Sequence, residues 1–159
     1  MDNTQKITTF LWFNDNAEEA MNHYVAIFKD SKIVSVLRNG EAGPGAPGTV
    51  LVGTFRIEGQ EFNALNGGPQ FKFTEAISLV VNCDTQKELD AYWDTLCADG
   101  GKPVQCGWLK DKYGLSWQIV PSILPKLTQD ARKSARVMQA LMQMVKLDIK
   151  TLQAAYDEK

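Results

Sequence analysis

Hydrophobic and polar positions along the chain predict two successive sets of elements with the same order. The first set contains a strand (7–13), a helix (14–28), a second strand (31–39) and a hairpin (49–68). Asn16 followed by Glu19 is typical of a helix start, and Glu58-Gly59 is typical of a tight hairpin turn. The first set is therefore β-α-β-β-β.

The second set repeats that order. A strand over 75–82 precedes a helix that starts near Asp84 or Thr85 and ends at Gly100. Two further strands lie within 102–121, joined by a turn at Lys112-Tyr113-Gly114. Residue identities do not repeat between the two sets, so the evidence for two modules is the order of the elements.

The remaining C-terminal residues differ from both modules. From Thr128 the pattern is helical, with a new helix cap expected at Asp148. Apolar side chains at helical spacing form a Met-rich stripe: Met138, Leu141, Met142, Val145, Ile149, Leu152 and Tyr156. This stripe could be a flexible lid over a ligand, but apolar stripes usually bury surface, which favours packing on the domain or on a partner subunit.

These elements predict an α+β protein. We expect one domain over 1–127, with modules at about 5–68 and 74–121, and a helical extension over 128–159. A length of 159 residues suits one domain or two small similar halves that share a core.

Composition narrows the classes of function. The chain is 44% hydrophobic and 23% charged, with a net charge of −2, and it has no stripe of Lys and Arg of the kind that binds nucleic acid. It has no apolar run of transmembrane length, and its first ten residues do not have the pattern of a signal peptide. We therefore expect a cytoplasmic protein that binds neither nucleic acid nor membrane.

Cysteine and histidine are sparse. The three cysteines form no CxxC pair, and the single histidine, His23, lies on the first predicted helix. A zinc site needs three or four convergent ligands, so any metal would have to use carboxylates and amides. We expect no cofactor.

Four stretches of the chain resemble a known family. They are FLWFNDNAEEAMNHYVAIF, EFNALNGGPQFKFTEAISLVVNCDTQKELDAYWDTL, GGKPVQCGWLKDKYGLSWQIVP and the tail MQALMQMVKLDIKTL. The chain is similar to the PhnB-like, 3-demethylubiquinone-9 3-methyltransferase branch of the glyoxalase/bleomycin resistance protein/dioxygenase (vicinal oxygen chelate) superfamily. The resemblance implies two βαβββ modules that form a cup-shaped mixed sheet with helices outside, and a homodimer.

The resemblance also implies where a metal would lie. The superfamily's ligand positions fall at about Thr9, at Asn63 or Ala64, at Ala76 and at Gln118. In the last strand, an amide stands where the superfamily has a Glu. Hard divalent cations prefer carboxylates, so we expect that the usual metal triad is missing.

The methyltransferase part of the family name has little support in the sequence. Segment 40–48 is Gly-rich, but it contains two prolines and joins two predicted strands. It lacks the strand–turn–helix context in which glycine spacing indicates a nucleotide-type cofactor. Methyl transfer is therefore not expected, and whether the protein is an enzyme stays open.

We predict that six residues line the cup and bind a ligand: Thr9, Asn63, Ser78, Cys106, Trp108 and Gln118. For Gln118, a buried amide satisfied by the backbone is an equal alternative. Cys106 is more typical of an inert small residue, because a nucleophilic thiol needs a nearby base. Lys110 could attract an anion, although a solvated lysine is the commoner case.

Three functions remain open. The first is a small-molecule-binding protein without the metal triad. The second is a metal-dependent lyase, isomerase or dioxygenase with a displaced ligand set, for which Glu61 and Glu75 are candidates. The third is a non-catalytic structural or regulatory dimer. The sequence does not distinguish a quinone, a sugar phosphate, a phosphonate or an antibiotic as the ligand.

Overall fold

The computed structural model describes residues 5–158, which form two compact units that divide between Lys72 and Phe73. The first unit contains β1 (Thr9–Phe13), α1 (Ala17–Ile27), β2 (Lys32–Arg38), β3 (Val50–Ile57) and β4 (Gln60–Asn66). The second contains β5 (Ser78–Cys83), α2 (Gln86–Cys97), β6 (Lys102–Pro103), β7 (Trp108–Lys110), β8 (Ser116–Pro121), α3 (Leu124–Leu127), α4 (Ala131–Met142) and α5 (Ile149–Asp157).

Each unit has its own four-stranded mixed sheet. The strand order is β1-β4-β3-β2 in the first unit and β5-β8-β7-β6 in the second. In both, the first strand pairs in parallel with the last, and the remaining pairs are antiparallel. The predicted α+β class and the repeated βαβββ order are confirmed.

Helix α1 covers one face of the first sheet. The rings of Tyr24 on α1 and Phe55 on β3 stack with centroids 6.1 Å apart. Gly53 lies beneath Met21, and a Cβ at this position would collide with the end of the methionine side chain. The glycine therefore lets the methionine side chain lie directly on the strand backbone here.

The cap of α1 differs from the prediction. Asn16 occupies the N-cap position, but its side chain makes no capping hydrogen bond. Instead, the Ala17 N–H donates to Oδ1 of Asn66 on β4 at 2.8 Å, and Nδ2 of Asn66 donates to the Val50 carbonyl at 2.9 Å. One amide thus joins the helix start to the sheet, which no local sequence pattern could show.

The start of α2 follows the prediction. Thr85 Oγ1 accepts from the Glu88 N–H at 3.2 Å, and the Glu88 carboxylate accepts from the Asp84 N–H at 2.8 Å. The pair resembles a capping box, but the Glu88 carboxylate bonds the N–H of the residue before the N-cap rather than that of Thr85 itself. Buried side chains then pack α2 on β7 and β8: Leu89, Trp93, Leu96, Leu109, Trp117 and Ile119.

The C-terminal helices belong to the second unit. Asp148 caps α5 as predicted, because its Oδ1 accepts from the Thr151 N–H at 2.7 Å. The Met-rich stripe is buried only in part: Leu141 and Leu152 are buried, but Met138 and Met142 are 43% and 61% exposed. The buried face of α4 also includes Val137.

Two contacts join the C-terminal residues to α2. The Gln86 side chain donates to the Leu147 carbonyl at 3.0 Å and accepts from the Ile149 N–H at 2.9 Å. Lys146 pairs with Asp90 at 3.0 Å, which raises the pKa of the lysine. None of the helices within residues 5–158 has the length and hydropathy needed to cross a membrane.

Candidate ligand-binding face

Side chains of the second sheet alternate between two faces. Trp117 and Ile119 on β8 are 2% and 0% exposed and lie on the face packed against α2. Their neighbours along the strand must lie on the other face, because successive side chains of a strand point in opposite directions. Strand register places six side chains on this distal face: Ser78, Val80, Trp108, Lys110, Ser116 and Gln118.

Gln118 is at the centre of the distal face. Its Nε2 donates to Ser78 Oγ on the neighbouring strand at 2.9 Å. Trp108 lies directly opposite Gln118 on the other side of β8. Within residues 5–158, the Oε1 atom of Gln118 accepts no hydrogen bond. The structure thus brings together three of the predicted site residues and leaves one amide oxygen available.

A row of polar residues runs beside Gln118 across all four strands. Register pairs Lys102 with Lys110, Lys110 with Ser116, and Ser116 with Ser78. The Ser116 side chain is 0% exposed, and its hydroxyl has no hydrogen-bond partner. Buried hydroxyls are normally paired, so this group is an exception within an ordered sheet.

Lys110 is held by a carboxylate from outside the sheet. Its Nζ lies 2.5 Å from Oε1 of Glu75, in the turn that precedes β5. The hydrogen bond from Lys110 lowers the pKa of the Glu75 carboxyl below its usual value, so the carboxylate is ionised at neutral pH. Both side chains are accessible, at 31% and 61% exposure, so solvent screens the pair.

Asp111, which is not among the predicted site residues, organises the loop between β7 and β8. It is 3% exposed, and its Oδ1 accepts from the N–H groups of Tyr113 and Leu115 at 2.9 and 3.0 Å. Its Oδ2 accepts from the Trp117 indole at 2.9 Å. An Asp directly before the predicted turn was the available signal, since Asp commonly bonds backbone N–H groups of a turn.

Segment 102–110 was predicted to be one strand that includes Cys106, but Cys106 lies outside the strands, so that prediction is wrong. It occupies a turn before β7 with a φ of 61°. Its N–H donates to the Met144 carbonyl, and the Gly107 N–H donates to the Val145 carbonyl, both at 2.8 Å. The turn is therefore fixed by the segment that follows α4, which lies far away in sequence.

Thr9 and Asn63, the predicted site residues of the first unit, lie on opposite faces of their sheet. Thr9 is in register with Phe62 on the face covered by α1, whereas Asn63 is in register with Phe10 on the other face. Asn63 Oδ1 accepts from Thr54 Oγ1 at 2.7 Å. The two residues therefore cannot act on one ligand at the same face of this sheet.

The superfamily's metal does not match the donor chemistry of these residues. Ala64 has no donor and is buried under α1, and Thr9 shares that face. Asn63 and Gln118 are neutral amides, and hard divalent ions need carboxylates to bind well. Glu61 is paired with Arg56 at 2.6 Å. Residues 5–158 contain no group of three or more His, Cys, Asp or Glu side chains that could hold a metal ion.

A cavity of about 360 Å³ lies elsewhere in the first unit, beside the Gly-rich loop. Its two most enclosed amides already have partners. Asn39 donates to Thr49 Oγ1 at 3.0 Å and accepts from the Gly45 N–H at 3.3 Å, and Asn66 caps α1. These bonds hold the loop in place and leave those amides with little capacity for a ligand.

Comparison with known proteins places this geometry in a family. Residues 5–120 match the model of the 3-demethylubiquinone-9 3-methyltransferase family. A solved structure described as a putative 3-demethylubiquinone-9 3-methyltransferase, PhnB protein, from Bacillus cereus is 45% identical. The match covers 74% of this chain and 99% of that one, with a TM-score of 0.69.

More distant structures share the fold alone. A protein from Pseudomonas aeruginosa is 19% identical over 74% of this chain and 96% of its own, with a TM-score of 0.60. The fosfomycin resistance protein FosX from Mesorhizobium loti is 11% identical over 75% and 91%, with a TM-score of 0.52. A search of curated proteins found no match. The chain belongs to the PhnB-like, 3-demethylubiquinone-9 3-methyltransferase family.

Proposed function

We propose that this protein binds a small molecule on the distal face of the second sheet, through hydrogen bonds and without a metal triad. The observation that carries the proposal is the Gln118–Ser78 pair, in which the serine orients the amide and leaves its Oε1 free. An amide fixed in this way is preorganised to accept a hydrogen bond from a ligand.

Trp108 supports the proposal from the neighbouring strand. It is half-buried and directly opposite Gln118. Binding sites combine apolar or aromatic walls with a few polar groups that fix orientation. A ligand that lies against the indole and donates a hydrogen bond to Gln118 would use both features.

The location and assembly of the protein are part of the same proposal. We place it in the cytoplasm, as a homodimer that binds neither nucleic acid nor membrane. The net charge of −2 supports the absence of a nucleic-acid surface. The reaction, if there is one, would depend on hydrogen-bonding side chains, and methyl transfer is not part of the proposal.

The test compares the wild type with Gln118→Leu and with Gln129→Leu, an exposed glutamine outside the sheets. All three proteins are purified identically and measured by native mass spectrometry before and after chelator treatment. We expect an organic molecule to co-purify with the wild type and with Gln129→Leu, but not with Gln118→Leu. The same spectra report subunit number.

Two results would contradict the proposal. One is a divalent ion at one per chain that the chelator removes, which would favour a displaced metal-ligand set. The other is an organic mass that Gln118→Leu retains in full. If nothing co-purifies, saturation-transfer NMR with a fragment library replaces the first readout, and equal fragment binding by all three proteins would refute the proposal.

A further inference from the structure

The polar row of the second sheet carries an inference that rests on the proposed function and specifies the ligand's chemistry. We propose that Lys102, Lys110, Ser116 and Ser78 form a subsite for an anionic group, such as a carboxylate, phosphate or phosphonate. When no anionic group is bound, Glu75 forms an ion pair with Lys110.

The first argument is the placement of the two lysines. Lys102 and Lys110 are directly opposite each other on β6 and β7. Like charges at directly opposed positions of an antiparallel pair repel and destabilise the sheet. Lys102 has no ion-pair partner among residues 5–158. An anion bound between the two side chains would remove this repulsion.

The second argument is the unpaired hydroxyl of Ser116. It is fully buried without a hydrogen-bond partner and lies next to Lys110 in register. Side chains at directly opposed positions have Cβ atoms roughly 5 Å apart, which one bound oxyanion can bridge. Because the hydroxyl is fully buried, neighbouring side chains must move before a ligand oxygen can supply the acceptor that the folded chain does not supply.

The third argument is the exchangeability of Glu75. Its carboxylate presents one oxygen, Oε1, to Lys110, as a ligand anion could, and it comes from a turn outside the sheet. Exposed ion pairs contribute little to stability. A ligand that contacts both lysines and both serines therefore makes more bonds than the carboxylate it displaces.

Ser78 connects this subsite to Gln118. Its oxygen accepts from the Gln118 amide at 2.9 Å, which leaves its own hydrogen free to donate to an anion. The predicted ligand thus has an anionic end on the polar row, a hydrogen-bond donor for Gln118 Oε1, and a flat or apolar part near Trp108.

The test uses isothermal titration calorimetry with phenylphosphonate and with its neutral dimethyl ester, two probes that differ in charge. We expect the wild type to bind the anion at least tenfold more tightly than the ester. Lys110→Gln should weaken anion binding about tenfold, and Ser116→Ala several-fold. Glu75→Gln should tighten it about threefold. Lys87→Gln, an exposed lysine on α2, is the matched control and should bind as the wild type does.

Ser116→Ala also guards against a folding artefact. Removal of an unpaired buried hydroxyl should leave the melting temperature equal or higher, so weaker binding in this variant cannot come from unfolding. Equal affinity for phenylphosphonate and its ester would overturn the inference, and so would unchanged anion binding in Lys110→Gln.

The proposed function can survive failure of this inference, and the two failures look different. If phenylphosphonate does not bind, but an uncharged molecule is retained in a Gln118-dependent way, the anion subsite is refuted and the binding face stands. If no molecule depends on Gln118, the binding face is refuted as well.

Discussion

Arg56 in the first unit and Lys110 in the second occupy matching positions. Each lies near the end of the first strand of the last hairpin in its sheet. Arg56 finds its carboxylate, Glu61, directly opposite in the same sheet at 2.6 Å. At the matching position, Lys110 faces Ser116, and its carboxylate comes from the Glu75 turn. The two sheets have the same topology, but Arg56 is paired within its own sheet, whereas Lys110 is paired with a carboxylate that a ligand can displace.

The neighbouring positions repeat this difference. Asn63 in the first unit and Gln118 in the second are both amides on the last strand of a sheet. Asn63 Oδ1 accepts a hydrogen bond from Thr54, whereas Gln118 Oε1 accepts none from residues 5–158. The two sheets therefore share their strand order but differ at this amide oxygen, which is hydrogen-bonded in the first sheet and available to a ligand in the second.

The largest effect should come from the loops that close the two hairpins. Asp111→Ala removes an acceptor of three hydrogen bonds from a buried site and should lower the free energy of unfolding by about 3 kcal/mol. The matched change in the first unit, Glu58→Ala, affects an exposed turn residue and should change it by less than about 0.5 kcal/mol. Urea unfolding measures both, and similar losses would show that the hairpins are closed in the same way.

A glycine in each unit offers the next comparison. A Cβ at Gly107 would lie 3.0 Å from both the Ile119 carbonyl and Leu147, at a φ of 82°. Gly107→Ala should therefore lower the free energy of unfolding by roughly 2 kcal/mol. Gly53→Ala should lower it by about 1 kcal/mol, since the end of the Met21 side chain can move. The reverse order in thermal denaturation would contradict this reasoning.

Two hydroxyl deletions should change stability in opposite directions. Ser116→Ala removes an unpaired buried hydroxyl and should raise the free energy of unfolding by about 1 kcal/mol. Thr54→Val breaks the bond to Asn63 and should lower it by about 1 kcal/mol. Chemical denaturation of both variants tests the contrast between the sheets. A loss of stability in Ser116→Ala would mean that its hydroxyl has a partner in solution.

The smallest effect is a pH dependence confined to the second sheet. The pKa of Glu75 lies below its usual 4.5, because Lys110 donates a hydrogen bond to it. The ionised Glu75 therefore competes with a bound anion for Lys110 at neutral pH. It stops competing only when it is protonated, below its lowered pKa. Sulfate affinity should therefore stay level from about pH 7 to about pH 5 and rise, by at most roughly threefold, only as the pH falls below about 4. Calorimetry should show a much flatter profile for Glu75→Gln, and an equal rise in both proteins would exclude Glu75 as the competitor.

Local patterns were sufficient to predict much of the fold. The Glu58-Gly59 turn, the start of α2 at Thr85 and the cap at Asp148 depend on residues within a few positions of each other. Strand alternation also placed Ser78 and Gln118 on one face, because their strands pair in register. Such features follow from propensity and from the period of the side chains.

Contacts between distant segments were the part that the sequence did not reveal. The cap of α1 comes from Asn66, which lies 49 positions after Ala17. Cys106 adopts a positive φ because its turn bonds to Met144 and Val145. The absence of a hydrogen-bond partner for the buried Ser116 hydroxyl likewise depends on the residues around it. Each of these three features depends on contacts with segments that are distant in sequence. Local sequence patterns do not show which distant segments come into contact.

The bonds from the Cys106–Gly107 turn to Met144 and Val145 have a consequence for how this protein can change during evolution. Both acceptors are main-chain carbonyls, so substitutions at those two positions preserve them. An insertion or deletion between Leu141 and Leu147 would instead shift the carbonyls away from their donors. Relatives that carry this C-terminal segment should therefore vary in residue identity there while keeping its length constant.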